Sequence, residues 1–182
     1  LTAAVRHPER VTRLVLCDSA CYPTPLPLEG RLALTPGLGA LIFKKLYRKA
    51  DLARYFRTSV FADNPALADE QYVDYYWERL ERPGGRAAAH RALHGLSDVQ
   101  DLAERPRRVG CPALVVWGER DRIFPVAHGE RLARELPHGS LTVVAGAGHA
   151  VPEDRPGDFT RLVTDFLAAG VTRGRWAGPP AA

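Results

Sequence analysis

The fold is decided by the stretch Ala113-Leu114-Val115-Val116-Trp117-Gly118-Glu119-Arg120-Asp121. Its first five residues are apolar without alternation, which is typical of a strand buried on both faces of a parallel sheet. Gly118 permits a tight turn, and Asp121 follows in the loop at the carboxyl end of that strand. Open α/β sheets bind their ligands at this edge. The stretch therefore predicts a sheet and the position of a site on it.

Two more apolar runs have the same character, at Leu14–Cys17 and at 141–145. Helical spacing is found near 127–136 and again toward the end, where apolar residues recur at intervals of three and four: Phe159, Leu162, Val163, Phe166 and Leu167. Strands and helices thus alternate from 113 to 169. This alternation indicates a doubly wound, mostly parallel α/β sheet.

The first eleven residues read as the end of a helix followed at once by a strand. We therefore expect the chain to be the C-terminal portion of a longer α/β protein. Between the first two strands lies an insertion with helical patterns near 38–49, 50–61, 69–82 and 84–94. The predicted division is a partial core at 1–22 and 96–170, an inserted helical lid or cap at 23–95, and a flexible tail at 171–182.

The composition is that of an ordinary globular protein, with 46% hydrophobic and 25% charged residues. The net charge is +4, yet the arginines are scattered among acidic residues, so we expect no nucleic-acid partner. No apolar run reaches the roughly 18 residues that a membrane span requires, and we expect no membrane partner and a cytoplasmic location. The three cysteines lack zinc-ligand spacing, so we expect no metal. We expect no cofactor either.

A histidine follows the last strand, in the stretch Gly146-Ala147-Gly148-His149-Ala150. Parallel strands end at the same edge of a sheet, so His149 is expected beside Asp121. A buried carboxylate that holds an imidazole fixes its tautomer and stabilises its cation, as a general base requires. An aspartate alone is more often a helix cap, and a histidine alone is more often a core or surface residue. The pair on consecutive strand ends predicts catalysis.

These residues resemble the α/β-hydrolase superfamily. The resemblance rests on His7-Pro8-Glu9-Arg10-Val11 before a strand, on Gly118-Glu119-Arg120-Asp121 after one, and on Gly148-His149. It implies a triad in which Asp121 is the acid and His149 the histidine. Some members of the superfamily take the acid from the end of the earlier strand, which makes Asp18 the second choice.

The resemblance implies a nucleophile that this chain lacks. None of its four serines, Ser19, Ser59, Ser97 and Ser140, has glycines two residues before and after it. By the spacing usual in the superfamily, the nucleophile elbow falls about seven residues upstream of Leu1, so the chain begins just after it. The chain alone is expected to be inactive. A serine in that place implies a hydrolase of ester-like bonds, and an aspartate implies an epoxide or haloalkane hydrolase.

The third interpretation is a non-catalytic, ligand-binding or degenerate member of the same fold. A binding module has no need of both Asp121 and His149, which favours the enzyme. The lid sequence bears on the substrate, since Tyr72, Tyr76 and Trp77 supply aromatic surface for a pocket. Such a lid favours a small or medium apolar substrate. The apolar strand 14–17 would have an unpaired edge, through which we expect self-association.

Overall fold

The structure is a computed structural model that describes residues 1–25, 28–35, 37–61, 63–97 and 104–169, without the side chains at 29, 44, 96 and 97. Within these ranges lie the predicted core part at 1–22, most of the core part at 96–170 and most of the predicted insertion. The predicted tail at 171–182 lies outside the described residues.

Three parallel strands form one sheet, in the order β1 (Leu14–Cys17), β2 (Ala113–Gly118) and β3 (Gly139–Val144). The register places Ala113 opposite both Leu14 and Gly139. All three predicted strands are therefore confirmed, although β3 begins two residues before the predicted start at 141 and ends one residue before the predicted end at 145. The helix predicted before β1 is also present, as α1 (Thr2–Arg6) with a 3₁₀ turn at Pro8–Arg10.

The central strand β2 is buried along its whole length, because both of its faces are covered. Val115 and Trp117 pack on one face against α1 and against α7 (Val126–Glu135). Leu114 and Val116 point to the other face, where the helix α9 (Pro156–Ala168) contributes Leu162 and Phe166. A strand with helices on both sides needs apolar residues at every position, which explains its unbroken apolar run.

The prediction that β1 and β3 are buried on both faces, as β2 is, is wrong. Every residue of β1 is only half-buried, and Val143 in β3 is 40% exposed. Among the described residues, each of these strands pairs with β2 on one side and has no strand on the other. An outer strand of this kind has fewer neighbours to cover it. Self-association through the edge of β1 stays a prediction.

The insertion between β1 and β2 is helical, as its sequence predicts. Its helices are α2 (Leu28–Leu34), α3 (Leu38–Leu41), α4 (Lys49–Tyr55), α5 (Glu70–Glu81) and α6 (Gly85–Ser97). Wider π-helical turns continue α3 through Ile42–Leu46 and α4 through Phe56–Val60, and Pro65–Leu67 forms a 3₁₀ turn. The helix α2 was not predicted, because the prolines ahead of it indicate an extended segment.

The insertion has an apolar core of its own, which contains Phe56, Phe61 and Val73. Two residues of the α/β part, Ile123 and Ala150, pack against this core. Ile123 belongs to the loop after β2, and Ala150 to the loop after β3. The insertion therefore rests directly on the two loops that follow the strands. A four-residue helix, α8 (Val151–Asp154), and 3₁₀ turn Pro106–Arg108 complete the described elements.

We expect Gly129→Ala to lower the free energy of unfolding by about 1 kcal/mol, because overpacking a buried ring outweighs the gain in helix propensity. A Cβ atom at Gly129, within α7, would lie 2.7 Å from the ring of the buried Trp117. Gly157→Ala in α9 is the matched control, since a Cβ atom there meets nothing within 4 Å. Urea unfolding followed by tryptophan fluorescence measures both. A Gly129→Ala protein as stable as the control would contradict this packing.

Candidate active site

Asp121 lies in the loop that follows β2, and its side chain is fully buried. Its Oδ1 atom accepts hydrogen bonds from the backbone amides of Ile123 at 2.7 Å and Phe124 at 3.0 Å. These two donors belong to the turn that leads into α7. A buried carboxylate is costly unless hydrogen bonds compensate it, and here the loop itself supplies them. The second oxygen, Oδ2, is left for another partner.

That partner is His149, in the loop that follows β3. Its Nδ1 atom lies 3.0 Å from Oδ2 of Asp121. An ionised carboxylate only accepts hydrogen bonds, so the proton of a neutral imidazole resides on Nδ1. The lone pair of Nε2 is then free to take a proton. The structure thus brings together the two residues that the sequence placed on neighbouring strand ends, and the His149 side chain remains 24% exposed.

Two further contacts hold the imidazole in place. The ring of Phe124 meets it edge to face, with 5.3 Å between ring centroids. The backbone amide of His149 donates to the carbonyl oxygen of Val60 at 3.1 Å. Val60 ends the π-helical turn after α4, so the insertion directly helps to position the backbone of the histidine.

The histidine loop itself is held by Asp154, which is 6% exposed. Its Oδ2 atom accepts a hydrogen bond from the amide of Gly148 at 2.7 Å. Its Oδ1 atom lies 3.0 Å from the guanidinium of Arg155, which also donates to the carbonyl of Gly146 at 2.9 Å. The loop ahead of His149 is therefore held by two residues that follow it in the chain, Asp154 and Arg155.

Asp18, the second-choice acid, follows β1 and is 7% exposed. Its Oδ1 atom accepts a hydrogen bond from the amide of Gly118 at 2.9 Å, and its Oδ2 atom from the thiol of Cys17 at 3.1 Å. Burial raises the pKa of Asp18 to about 6. Among the described contacts, the imidazole of His149 is hydrogen-bonded to Asp121 and not to Asp18. This geometry favours Asp121 as the acid.

The aromatic residues assigned to a pocket lie in the packed part of the insertion. Tyr72 and Tyr76 contact one another and the ring of Phe56, with centroid distances near 5 Å. The hydroxyl group of Tyr72 donates to Glu153 at 2.6 Å. Trp77 packs against the same core and carries the guanidinium of Arg86 over its ring. Their role in a substrate pocket stays a prediction.

Sequence reasoning missed Phe124, Val60 and Asp154. Phe124 follows Asp121 by three residues in the same loop. An aromatic residue so close to the aspartate could have indicated packing against the histidine. Val60 acts through its backbone carbonyl, which no side-chain pattern reveals. Within the described residues, no group of three or more His, Cys, Asp or Glu is arranged to hold a metal ion. None of the described helices has the length and apolar character needed to cross a membrane.

Comparison with known proteins places the chain in one family. The family model described as the alpha/beta hydrolase family matches residues 1–162. The 2-hydroxymuconate semialdehyde hydrolase of Pseudomonas putida is 32% identical over 175 residues, which cover 92% of this chain and 58% of that protein. An uncharacterized hydrolase of Bacillus subtilis is 28% identical over 169 residues, covering 92% of this chain and 60% of its own length.

Solved structures show the same fold. The 2-hydroxy-6-oxo-6-phenylhexa-2,4-dienoate hydrolase from Rhodococcus sp. strain RHA1 aligns with a TM-score of 0.73 at 20% identity, over 92% of this chain and 59% of that one. A thermophilic esterase from Thermogutta terrifontis aligns with a TM-score of 0.65 at 23% identity, over 90% of this chain and 58% of that one. The chain spans about 60% of the length of the proteins it matches. It belongs to the alpha/beta hydrolase family.

Proposed function

We propose that this chain supplies the acid and the histidine of a hydrolase that acts on small or medium apolar substrates with an ester-like bond. The observation that carries this proposal is the 3.0 Å contact between Nδ1 of His149 and the buried carboxylate of Asp121. The membership in the family supports hydrolysis as the reaction class. The helical insertion at 23–95 would act as the lid over the substrate.

In this mechanism His149 moves the protons. Its Nε2 atom takes the proton of the nucleophile and gives it to the leaving group. It then takes a proton from the attacking water and returns it to the nucleophile, whose bond to the acyl group breaks. Asp121 keeps the proton on Nδ1 and stabilises the imidazolium that forms at each step. The two amides on the other oxygen of Asp121 hold the carboxylate still while this charge appears and disappears.

We place the nucleophile outside residues 1–182. The four serines of the chain lack the flanking glycines of a nucleophile elbow, and the relatives that it matches are longer. On this proposal the 182 residues alone do not catalyse the reaction. An aspartate as nucleophile would change the substrate to an epoxide or haloalkane, with His149 acting in the hydrolysis step alone.

Hydrolysis of a carbon–carbon bond is the second candidate. Several relatives with 26–32% identity carry the names of 2-hydroxymuconate semialdehyde hydrolase and 2-hydroxy-6-oxo-6-phenylhexa-2,4-dienoate hydrolase. These names support a dienoate substrate as the alternative to an ester. A non-catalytic member of the fold is disfavoured, because the buried Asp121 and its imidazole partner have no use in a binding module.

The gene sequence immediately upstream of Leu1 tests where the nucleophile lies. We expect the frame to remain open and to encode Gly-x-Ser-x-Gly shortly before Leu1, and the complete protein to hydrolyse a short-chain chromogenic ester or a 2-hydroxy-6-oxo-dienoate. Comparing the two substrates separates the ester from the carbon–carbon candidate. An in-frame stop codon at that place would refute the proposal for this chain.

We expect His149→Gln to lower kcat of the complete protein by roughly a thousandfold, because the nucleophile loses its base. The substrate is bound by other groups, so KM should change little. The matched control is His7→Gln, since that side chain is 59% exposed in the turn before β1. Steady-state kinetics with the better of the two substrates measures both variants. Retention of kcat in His149→Gln would remove the histidine from the mechanism.

Asp121→Asn is expected to lower kcat by about 10³ to 10⁴ while the fold persists. The asparagine oxygen can keep the amides of Ile123 and Phe124, which turns its NH₂ group toward His149. The imidazole then carries its proton on Nε2, the wrong atom for a base. Asp158→Asn, in an exposed pair with Arg161, is the control and should retain full activity. Equal activity of the two variants would show that Asp121 is not the acid.

A further inference from the structure

Asp18 is a buried carboxyl group for which the mechanism has no use. It makes no salt bridge with any described residue, unlike Asp154, which is paired with Arg155. Burial of an acidic side chain without a cationic partner is costly, so its hydrogen bonds must hold it there.

The carboxyl group of Asp18 lies between the loops after β2 and β3. Oδ1 accepts from the amide of Gly118 at 2.9 Å, and Oδ2 faces the amide of Val151 at 3.5 Å. Gly118 stands three residues before Asp121, and Val151 stands two residues after His149. One side chain at the end of β1 thus contacts the backbone beside each member of the acid–histidine pair.

The backbone of Asp18 is arranged for this contact. Its φ angle is +40°, in the left-handed region that side chains other than those of Asn and Asp rarely adopt. Its amide still donates to the carbonyl of Val116 at 3.1 Å, so it continues the ladder between β1 and β2. The chain then turns, and the carboxyl group reaches the backbone that follows β2 and β3.

We propose that Asp18 is a positioning residue that holds the Asp121 loop and the His149 loop at hydrogen-bonding distance from each other. The role of the pair in catalysis rests on the proposed function, but the positioning itself does not. Asp18 acts through the two backbone amides and touches no reacting atom. It is therefore neither the acid of the triad nor a residue that serves stability alone.

The Nδ1 proton of His149 reports on this positioning without any substrate. In the wild-type chain, the hydrogen bond to Asp121 should protect this proton from exchange and give a resolved downfield NMR signal, which His149→Gln assigns by its loss. We expect Asp18→Ala to broaden or abolish the signal, because both amide contacts are lost. Asp18→Asn should give an intermediate signal, since its oxygen still accepts from Gly118 while its NH₂ group faces the amide of Val151. Asp158→Asn is the control with an unchanged signal.

A folded Asp18→Ala protein whose Nδ1 signal is unchanged in position and width would overturn the proposal. If Asp18→Ala does not fold, Asp18→Leu in the presence of stabilising sucrose gives the same comparison. A sharper Nδ1 signal in Asp18→Asn than in that variant supports positioning through the amide of Gly118. Absence of both ester and dienoate hydrolysis in the complete protein would refute the proposed function and leave this NMR result intact.

The stability of the protein should depend on pH through Asp18. The groups that face its carboxyl are Cys17 on β1, Asp121 after β2 and His149 after β3. Burial raises the pKa of Asp18 to about 6 from its ordinary 3.8, so the folded state favours the protonated form. This contribution to stability is present below about pH 4 and is lost as the pH rises through about 6.

Asp18→Asn removes that titration. We expect its melting temperature, relative to wild type, to rise between pH 4 and 6 and to stay constant above 6.5. The difference between the two proteins is the quantity to read, because other carboxylates titrate equally in both. A difference that is the same at pH 4 and pH 7 would contradict the raised pKa of Asp18, whereas the Nδ1 signal of His149 tests the positioning role.

Discussion

The site depends on the close approach of two backbone segments at the carboxyl edge of the sheet. A Cβ atom on Gly118 would lie 1.9 Å from the carbonyl oxygen of Gly148, and one on Gly148 would lie 2.5 Å from the carbonyl oxygen of Val60. Only glycine fits at either place. The end of β2, the histidine loop and the insertion are therefore stacked backbone against backbone. This close backbone packing brings Asp121 and His149 within hydrogen-bonding distance.

Two carboxyl groups at this edge have different surroundings and hence different chemistry. Asp121 faces two amides and an imidazole, so a negative charge there has three partners. Asp18 has a close amide, a thiol and a longer amide contact, and burial raises its pKa to about 6. Among the described hydrogen bonds, the imidazole of His149 is joined to Asp121 and not to Asp18. The environment, rather than the order of the residues in the chain, thus separates the roles of the two acids.

The sequence predicted the sheet and the acid–histidine pair because both depend on short-range patterns. A strand covered on both faces must be apolar throughout, so β2 is recognisable, and the residues after strand ends meet at one edge. Other features depend on contacts between distant segments. The carbonyl of Val60 and the half-burial of β1 follow from the way the insertion and the outer strands pack. The helix α2 was missed because its flanking prolines carry the stronger local signal.

The part of the insertion from α4 to α5 is joined to the site loops by several independent contacts. The carbonyl of Val60 holds the amide of His149, and Tyr72 donates to Glu153. Asp63 pairs with Arg120 and Arg122 on either side of Asp121. Any displacement of this part as a unit must break the hydrogen bond at the backbone of the histidine. If the insertion acts as the proposed lid, opening at this part would disturb the histidine that is proposed as the base.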